Sequence, residues 1–265
     1  MNILIPMSGL GSRFISAGYK DIKPMIKVFG KPIIKHIVEK FCPSNHFIFI
    51  CRKEHLRNKD LMLETYLHSL AENTTVLEVD NHKLGPVHSI LSVSKNIKDT
   101  GELIVNYCDF DWRWSYEDFK KWLEIEKPDA ALCVYSGFHP HYINPATYAY
   151  VRSNQHNLLE IREKQSFTKY REEEAAASGT FYFANGNLLL DACNWLVKKK
   201  ETINGEFYVS LIYNYFALEN MRVLNYYISH FMQWGTPHDL EEFKFFASKV
   251  PLEFKKNAID CPAIT

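Results

Sequence analysis

The sequence predicts an α/β fold with three layers, in which helices cover both faces of a mixed, mostly parallel central sheet. Two observations predict it. In the first half of the chain, short apolar segments alternate with segments whose apolar residues recur at helical spacing, which is the pattern of β-α-β units. In the second half, several strand candidates follow one another with little helix between them, which is typical of antiparallel strands.

The first half opens with a buried strand over residues 2–6. Short runs rich in apolar residues predict further strands, and apolar residues spaced by three and four positions predict helices. In chain order, we expect strands over 46–51, 75–79, 102–108 and 130–136, and helices over 33–41, 60–71, 87–93 and 116–126.

The second half has a different pattern, because its strands are close together in sequence. We expect strands over 147–152, 158–162, 180–184 and 222–228, and helices over 188–198, 207–218 and 238–247. No repeat or linker interrupts the chain. We therefore predict a single domain over residues 1–265, built from two halves, 1–136 and 137–265.

Composition excludes several classes of function. The 265 residues include 31 basic and 31 acidic side chains, so the chain lacks the broad positive field of a nucleic-acid-binding protein. No apolar run approaches the roughly 20 residues of a membrane span, and no basic segment precedes an apolar one at the N-terminus. The six cysteines form no CxxC pair. We expect a reduced, cytoplasmic protein with no nucleic-acid or membrane partner.

A Gly-x-Gly turn follows the first predicted strand. Gly9 and Gly11 allow the backbone to approach a ligand closely, and Arg13 adds a planar cation suited to phosphate oxygens. The turn is not a Walker A loop, and Phe14 breaks the GxGxxG dinucleotide pattern. Taken alone, it is equally compatible with a tight strand-to-helix turn.

Two Lys-Pro pairs strengthen the phosphate interpretation. Lys23-Pro24 follows the turn, and Lys31-Pro32 opens the next predicted helix, where proline suits the first turn. Lys23 would be a compact cation near the glycine turn. A single lysine usually indicates solvated surface, but the combination with the glycine turn favours a phosphate site.

These motifs and others in the same order resemble the signature of the sugar-phosphate nucleotidyltransferases, also called nucleoside-diphosphate-sugar pyrophosphorylases, in particular a compact bacterial surface-polysaccharide subgroup. The resemblance covers roughly residues 1–247 and is carried by SGLGSRF, KPMI and GKPII, and by residues 82–87, 106–111, 148–151, 163–164, 178–183 and 234–240. It implies a Rossmann-like nucleotidyltransferase fold of the GT-A type, with a nucleotide-binding first half and an acceptor-binding second half.

The resemblance implies a reaction in which a sugar-phosphate oxygen attacks the α-phosphorus of a nucleoside triphosphate. Arg13 would hold the β- and γ-phosphates, Lys23 would stabilise charge at the α-phosphate, and Asp109 would bind Mg²⁺. The residues implied in nucleotide binding are Ser8, Gly9, Leu10, Gly11, Ser12, Gly85 and Pro86. On the acceptor side, Lys164 would hold the phosphate, Glu163 would contact sugar hydroxyls, and Gly179 would leave room for the sugar.

Two departures from the family pattern matter. Many relatives have a second metal-binding Asp where this chain has Gln233, so Asp111 helps, a water replaces the ligand, or the metal rests mainly on Asp109 and the triphosphate. The glycine turn reads SGLG rather than GGxG, which adds the Ser8 hydroxyl. By analogy with compact relatives we favour CTP, with a sugar or polyol phosphate as acceptor, and leave a homo-oligomer open.

Two alternatives stay open at this point. Asp109-Phe110-Asp111 has the Asp-x-Asp spacing of a GT-A-type glycosyltransferase, and Gln233 fits a non-catalytic nucleotide-sugar-binding protein. We do not expect His139 and His141 to bind a metal, because residues two apart with a proline between them rarely converge. We expect Cys108 to be buried when Asp109 faces the site, because neighbours on a strand point to opposite faces.

Overall fold

The computed structural model describes residues 1–139, 142, 145–154 and 157–249. Its strands are β1 (Asn2–Pro6), β2 (Lys27–Val28), β3 (Lys31–Pro32), β4 (His46–Arg52), β5 (Thr74–Val79), β6 (Leu103–Asn106), β7 (Phe110–Arg113), β8 (Ala130–Tyr135), β9 (Ala149–Asn154), β10 (Asn157–Glu163), β11 (Ala175–Phe183), β12 (Val223–Tyr227) and β13 (His230–Gln233). Its helices are α1 (Ser12–Ser16), α2 (Ile33–Val38), α3 (Lys53–Arg57), α4 (Leu63–His68), α5 (Pro86–Ser92), α6 (Ser94–Ile97), α7 (Tyr116–Glu126), α8 (Gly186–Lys199), α9 (Val209–Leu218) and α10 (Pro237–Lys249).

Nine of these strands form one sheet to which both halves of the chain contribute. Strand β1 pairs in parallel with β4 and β6, and β4 pairs in parallel with β5. The long strand β11 runs antiparallel to β6, β8 and β9, while β12 runs parallel to β8. The predicted mixed, mostly parallel sheet is therefore confirmed.

Two hydrophobic cores lie on opposite faces of this sheet. Leu4 and Ile48 belong to a core shared with helices α5, α8 and α9. Ile3 and Phe47, their neighbours along β1 and β4, belong to a second core shared with α2, α4 and α7. Because both faces are covered, the central strands read as continuous apolar runs rather than as alternating ones. The three layers follow from this arrangement.

Most predicted elements are present, with differences at their ends. The helix predicted over 116–126 has those bounds, and the Ser115 hydroxyl caps it by accepting from the Asp118 N–H. The helix predicted over 60–71 covers only Leu63–His68, because Met62 adopts a left-handed conformation that prevents an earlier start. Strand β11 begins at Ala175 rather than at residue 180, because it continues along β9 and β8.

A small two-stranded sheet was not predicted from the sequence. Strand β7 pairs antiparallel with β13, so that Phe110 lies opposite Gln233. This pairing carries the segment after β6 against the segment before α10, and Asp109 accepts through its backbone carbonyl from the Trp234 N–H. No helix within the described residues is both long and apolar enough to cross a bilayer.

Candidate active site

The glycine turn lies where the order of the parallel strands changes direction. Strand β1 has β4 on one side and β6 on the other, so the segments that follow β1 and β6 meet at the carboxyl edge of the sheet. In open α/β sheets, this is the position where ligands bind. The topology therefore brings the turn at Gly9–Gly11 and the segment containing Asp109 to the same edge.

The glycine turn packs directly against Lys23. Gly11 has a φ of +64°, a left-handed conformation that glycine adopts at little cost. A Cβ at this position would lie 3.4 Å from the Cβ of Lys23. Arg13 lies two residues further on, in the exposed helix α1. The turn and the two cations predicted for phosphate binding thus occupy one edge of the sheet.

Lys23 and Asp109 form an ion pair at the centre of this edge. Lys23 Nζ lies 2.9 Å from Asp109 Oδ2, and it also donates to the carbonyl of Gly235 at 3.3 Å. The Lys23 and Asp109 side chains are 16% and 35% exposed, respectively. The pair is therefore shielded from bulk water but open on the carboxylate side, where a ligand could reach it.

Three side-chain oxygen atoms lie around Gly235. A Cβ there would lie 3.7 Å from Asp109 Oδ2 and 3.9 Å from both Asp239 Oδ2 and Tyr148 Oη. Asp239 is fixed because its carboxylate accepts from the Thr236 N–H, while its own N–H donates to the Thr236 hydroxyl. This reciprocal pair is a capping box at the start of α10. Two carboxylates and a phenol consequently border the space beside Gly235.

Gln233, which replaces the expected acidic residue, is held by Asp239. Its side-chain amide Nε2 donates to Asp239 Oδ1 at 3.0 Å. Its carbonyl Oε1 is buried and has no hydrogen-bond partner among the described residues. The Gln233 side-chain carbonyl is therefore a buried acceptor that receives no hydrogen bond from the described residues. A cation or a water molecule beside this oxygen would be favourable.

Asp111 is engaged elsewhere. Its Oδ1 lies 2.5 Å from Lys40 Nζ and accepts from the Trp112 N–H at 2.8 Å. Only 7% of the residue is exposed. The two carboxylates of Asp109-Phe110-Asp111 consequently have different cationic partners, Lys23 for the first and Lys40 for the second.

The predicted acceptor residues lie at the end of β10. Glu163 accepts from the Ser210 hydroxyl at 2.5 Å, and Lys164 donates from Nζ to the Tyr208 hydroxyl at 2.7 Å. Lys164 has a φ of +57°, so the strand ends here, and the side chains of Glu163 and Lys164 both reach the segment at residues 208–210. Burial raises the pKa of Glu163 to about 7, with a smaller contribution of the same sign from the Asp109 charge and opposing contributions from Ser210 and Lys164.

Charge contributions place Arg13 in the same cleft. Burial raises the pKa of Tyr148 and Tyr208 well above the usual range of a phenol, and the Arg13 charge opposes that rise at both residues. Asp109 contributes to the rise at Tyr148, and Glu163 contributes to it at Tyr208. Arg13 therefore lies within electrostatic reach of both Tyr148 and Tyr208.

The predicted nucleotide loop around Gly85 is anchored by a short chain of hydrogen bonds. The His82 Nδ1 accepts from the Leu84 N–H at 3.2 Å, and burial lowers the pKa of His82, so its neutral ring carries the proton on Nε2. That nitrogen lies 2.9 Å from the Ser89 Oγ, which lies 2.5 Å from the Ser8 Oγ. This chain links the loop to the end of β1, beside the glycine turn.

The role predicted for Gly179, making room for the sugar, is corrected by its surroundings. A Cβ at Gly179 would lie 2.7 Å from the Phe110 ring and 3.3 Å from the Tyr107 ring. Its φ of +105° belongs to an irregularity in β11 between Ala177 and Phe181. Glycine is required here because the strand packs closely against two aromatic rings. The space that a Cβ would enter is taken up by these rings and not by a sugar.

Comparison with known proteins identifies the family. The model of the MobA-like NTP transferase domain matches residues 3–176, which include the glycine turn, Lys23, Asp109 and the Glu163-Lys164 pair. This chain belongs to the MobA-like NTP transferase family. The resemblance to sugar-phosphate nucleotidyltransferases is thereby confirmed at the level of the family.

Solved structures confirm the fold of this NTP transferase. A nucleoside-diphosphate-sugar pyrophosphorylase from Vibrio cholerae RC9 has a TM-score of 0.74 at 18% identity, over 92% of this chain and 99% of that one. A putative glucose-1-phosphate thymidylyltransferase from Bacillus anthracis has a TM-score of 0.71 at 17% identity, with coverages of 95% and 96%. The inositol-1-phosphate CTP transferase from T. maritima has a TM-score of 0.69 at 14% identity, with coverages of 94% and 95%. No curated protein matches.

The oxygen atoms of this NTP transferase suit a hard cation such as Mg²⁺. The Asp109 carboxylate borders the space at Gly235, and carboxylate and phosphate oxygens are the ligands that Mg²⁺ prefers. Within the part of the chain that the structure describes, no group of three His, Cys, Asp or Glu residues could hold a metal by itself. A bound Mg²⁺ would therefore take most of its ligands from the triphosphate and from water, which is its usual behaviour.

Two other sequence-based expectations concern residues near this site. Cys108 is buried, and burial raises the pKa of its thiol to about 12, so it is not an activated nucleophile. His141 lies outside the described residues, so the structure does not address the His139–His141 pair.

Several residues that border the cleft of this NTP transferase were not predicted from the sequence. Glu206, Tyr208 and Ser210 contact one another or the predicted acceptor residues, and they precede or begin helix α9. The Gly205-Glu206 turn before a helix was the available signal, because glycine with a following polar residue often opens such a turn.

Proposed function

We propose that this chain transfers a nucleotidyl group from a nucleoside triphosphate to the phosphate of a sugar or polyol phosphate. An oxygen of the acceptor phosphate attacks the α-phosphorus, the bond from that phosphorus to the bridging oxygen of the β-phosphate breaks, and pyrophosphate leaves. The observation that carries the proposal is the Lys23–Asp109 pair, which joins the glycine turn to the loop after β6 and whose carboxylate charge acts on Glu163.

The cations of the cleft match the charges of such a reaction. Arg13 and Lys23 lie beside the glycine turn, where they would neutralise the triphosphate and the departing pyrophosphate. Lys164 lies just after β10, where it would hold the acceptor phosphate for attack. No protein nucleophile is needed, because positioning and charge neutralisation account for catalysis of phosphoryl-type transfer.

Glu163 is suited to recognising hydroxyl groups of the acceptor. Its carboxyl group is held by the Ser210 hydroxyl, and burial raises its pKa to about 7. Near neutral pH it can therefore accept a hydrogen bond from a sugar hydroxyl when ionised or donate one when protonated. This is consistent with an acceptor that carries several hydroxyl groups next to its phosphate.

Asp109 is the residue proposed to hold Mg²⁺, together with phosphate oxygens of the substrate. The bound cation would supply charge neutralisation at the α-phosphate. Lys23 Nζ lies 2.9 Å from the same carboxylate. Lys23 is also predicted to stabilise charge at the α-phosphate. Binding of a triphosphate would therefore draw the Lys23 ammonium group away from Asp109.

We favour CTP as the nucleotide and a role of the product in surface polysaccharide assembly. The inositol-1-phosphate CTP transferase of T. maritima is one structural neighbour that supports the first choice, while another neighbour is a putative thymidylyltransferase. The Gly85 loop and Ser8 are the groups proposed to contact the base and ribose, because the hydrogen-bond chain through His82 and Ser89 joins them.

The glycosyltransferase alternative is disfavoured by the pairing of Asp111. An Asp-x-Asp metal motif needs both carboxylates directed to one cation. Asp111 is instead paired with Lys40, and only 7% of Asp111 is exposed. The cations beside the glycine turn also serve a triphosphate better than the diphosphate of a nucleotide sugar.

The test is pyrophosphate release from a matrix of five nucleoside triphosphates and a panel of hexose phosphates, alditol phosphates and glycerol phosphate, with Mg²⁺ present. We expect release with one triphosphate, strongest with CTP, and only when an acceptor is present. Asp109→Asn should reduce release about a hundredfold or more, while the matched change Asp118→Asn on exposed helix α7 should leave it unchanged. Acceptor-independent hydrolysis, or full activity of Asp109→Asn, would contradict the proposal.

A further inference from the structure

One short segment touches both sides of the cleft. Residues 206–210 lie between the turn at Gly205 and the first residues of α9. Toward the nucleotide side they contact the Gly85 loop, and toward the acceptor side they contact Glu163 and Lys164. Apart from Ser210, which holds Glu163, none of these residues carries a role in the reaction proposed above, so their position needs an explanation.

The contact with the Gly85 loop is close and specific. The Phe207 N–H donates to the Leu84 carbonyl at 2.8 Å, and the Phe207 carbonyl accepts from the Val87 N–H at 3.2 Å. Gly85 lies between these two bonds with a φ of +85°, and a Cβ there would be 2.7 Å from the Phe207 carbonyl oxygen. Two backbone hydrogen bonds therefore hold the loop against the segment, and any side chain at Gly85 would force them apart.

The contact with the acceptor side runs through Tyr208. Its hydroxyl oxygen accepts from Lys164 Nζ at 2.7 Å, and its hydroxyl proton goes to Glu206 Oε2 at 2.5 Å. Lys164 Nζ also lies 4.5 Å from the centre of the Tyr208 ring. The phenol thus stands between an ammonium group and a carboxylate that both reach the same oxygen atom.

We propose that Tyr208 is a positioning residue that holds Lys164 toward the acceptor phosphate by keeping it apart from Glu206. This inference rests on the proposed function, in which Lys164 binds that phosphate. A direct ion pair between Lys164 and Glu206 would neutralise the ammonium group and engage the N–H donors that the acceptor phosphate needs. The neutral phenol separates the two charges, and it orients Lys164 through a hydrogen bond and through its ring face.

The phenol can fill this role because it keeps its proton. Burial raises the pKa of Tyr208 far above the usual range of a tyrosine, with further contributions from the hydrogen bond and charge of Glu206 and from Glu163, and a smaller opposing one from Arg13. The hydroxyl therefore stays available as a donor to Glu206 and an acceptor from Lys164. Because the same segment carries Phe207 against the Gly85 loop, it sets the distance between the nucleotide loop and the acceptor lysine.

The first experiment is a comparison of Michaelis constants in the pyrophosphate-release assay, with the most active acceptor of the matrix. Tyr208→Phe should raise KM for the acceptor about tenfold and leave KM for the triphosphate within about twofold. Adding Glu206→Gln to Tyr208→Phe should restore most of the acceptor affinity, because no carboxylate remains to capture Lys164. Tyr227→Phe, at an exposed position of β12, is the matched control and should change neither constant.

Two outcomes of that comparison would overturn the inference. One is an unchanged acceptor KM in Tyr208→Phe. The other is a double variant no better than Tyr208→Phe, which would mean that Glu206 does not capture the lysine. Thermal unfolding of each variant separates these outcomes from loss of the fold, since a variant with an unchanged transition retains the structure.

The second experiment does not depend on turnover. Reductive methylation of lysines, followed by mass spectrometry, is measured with and without inorganic phosphate. Phosphate should slow methylation of Lys164 several-fold in the unsubstituted protein but not in Tyr208→Phe, whereas Lys199 on α8 should be unaffected in both. If phosphate protects Lys164 in the unsubstituted protein but not in Tyr208→Phe, and the unsubstituted protein releases no pyrophosphate, the positioning role is supported and the proposed reaction is rejected. Equal protection in both proteins would reject the positioning role.

Discussion

A single ion pair, between Lys23 and Asp109, links the residues that the reaction needs at the carboxyl edge of the sheet. Lys23 reaches Asp109 and the Gly235 carbonyl from the segment before β2, and its Cβ supports the glycine turn through Gly11. The ammonium group thus occupies the carboxylate that is proposed to hold Mg²⁺. This competition between a lysine and a metal for one carboxylate can be measured directly.

We predict that Lys23→Met raises the affinity of the nucleotide-free protein for Mn²⁺, used as a spectroscopic substitute for Mg²⁺. Removing a partly shielded pair of this kind should lower the Mn²⁺ dissociation constant up to about fivefold. The same variant should release little pyrophosphate, because the cation near the α-phosphate is lost. Electron paramagnetic resonance titration gives the constant, and Lys35→Met on α2 is the control. Weaker Mn²⁺ binding in Lys23→Met would show that the lysine does not compete for the carboxylate.

Glu163 predicts a pH dependence of stability with a definite sign. Burial raises its pKa in the folded protein from 4.5 to about 7, so between these values the folded state keeps a proton that the unfolded state releases. Its contribution to the free energy of unfolding is therefore fully present below about pH 4.5 and is lost as the pH rises through about 7.

The corresponding variant is Glu163→Gln, which cannot ionise. As the pH rises from 5 to 8, the free energy of unfolding of Glu163→Gln should increase by about 2 kcal/mol relative to that of the unsubstituted protein. This value is discounted because the carboxyl group is partly exposed. Denaturant unfolding at both pH values measures the difference, and Glu124→Gln on the exposed side of α7 should show none. A Glu163→Gln variant that tracks the unsubstituted protein at both pH values would mean that the carboxyl group ionises normally.

At the scale of the elements, the loop around Gly85 is the most constrained connection near the site. It is braced on one side by the segment at Phe207 and on the other by His82, whose carbonyl accepts from Arg52 Nη2 at 2.9 Å. Gly85 itself has a left-handed φ and no space for a side chain. The loop therefore depends on one glycine for both its conformation and its packing.

Gly85→Ala should consequently destabilise the protein by about 2 kcal/mol or more, since it adds backbone strain and a contact of 2.7 Å with a carbonyl oxygen. It should also raise KM for the triphosphate and for the acceptor together, because the loop and the acceptor lysine share the segment 206–210. Gly101→Ala is the control, because that glycine is exposed and a Cβ there would meet no atom within 4 Å. Equal stability of the two variants would contradict the assigned constraint.

The sequence predicts most elements because their signals are local. The α7 helix over 116–126 and strand β1 over 2–6 follow from spacing and burial within the element itself. The β7–β13 sheet does not, because its strands lie more than a hundred residues apart and β7 contains two charged residues. Only the folded chain shows Lys40 beside Asp111, so the partner of that carboxylate could not be predicted from the sequence.

The site was predictable to a similar extent. The glycine turn, Lys23 and Asp109 were found from motifs that sit at strand ends, and parallel neighbours bring such ends together. Tyr208 and Ser210 were not found, because their roles depend on contacts with β10 that no short motif contains. Gly179 was predicted as a site residue, but the reason for a glycine at this position was not, since the rings of Phe110 and Tyr107 approach it only in the folded sheet.

For the whole molecule, the sheet order explains how two substrates can meet. Strand β11 joins the parallel strands of the first half to β9 and to β8, which pairs with β12, so the proposed nucleotide and acceptor sides are parts of one sheet. The cleft is consequently formed by rigid strand ends, with the glycine turn and the Gly85 loop on one side and the end of β10 on the other. This arrangement suits a direct transfer between two bound substrates, because neither has to leave the cleft for the other to react.

The central claim, direct nucleotidyl transfer at the α-phosphorus, is tested by following labelled phosphorus through one reaction. CTP carrying a radiolabel only at the α-phosphorus is incubated with Mg²⁺, the protein and the acceptor panel, and the products are separated. The account predicts that the label enters a nucleotide-linked acceptor in equal amount to the pyrophosphate released, and that inorganic pyrophosphatase drives the reaction forward. Recovery of the label as free CMP would contradict the account. Label that stays in CTP with every acceptor would also contradict it, if no other triphosphate reacts either.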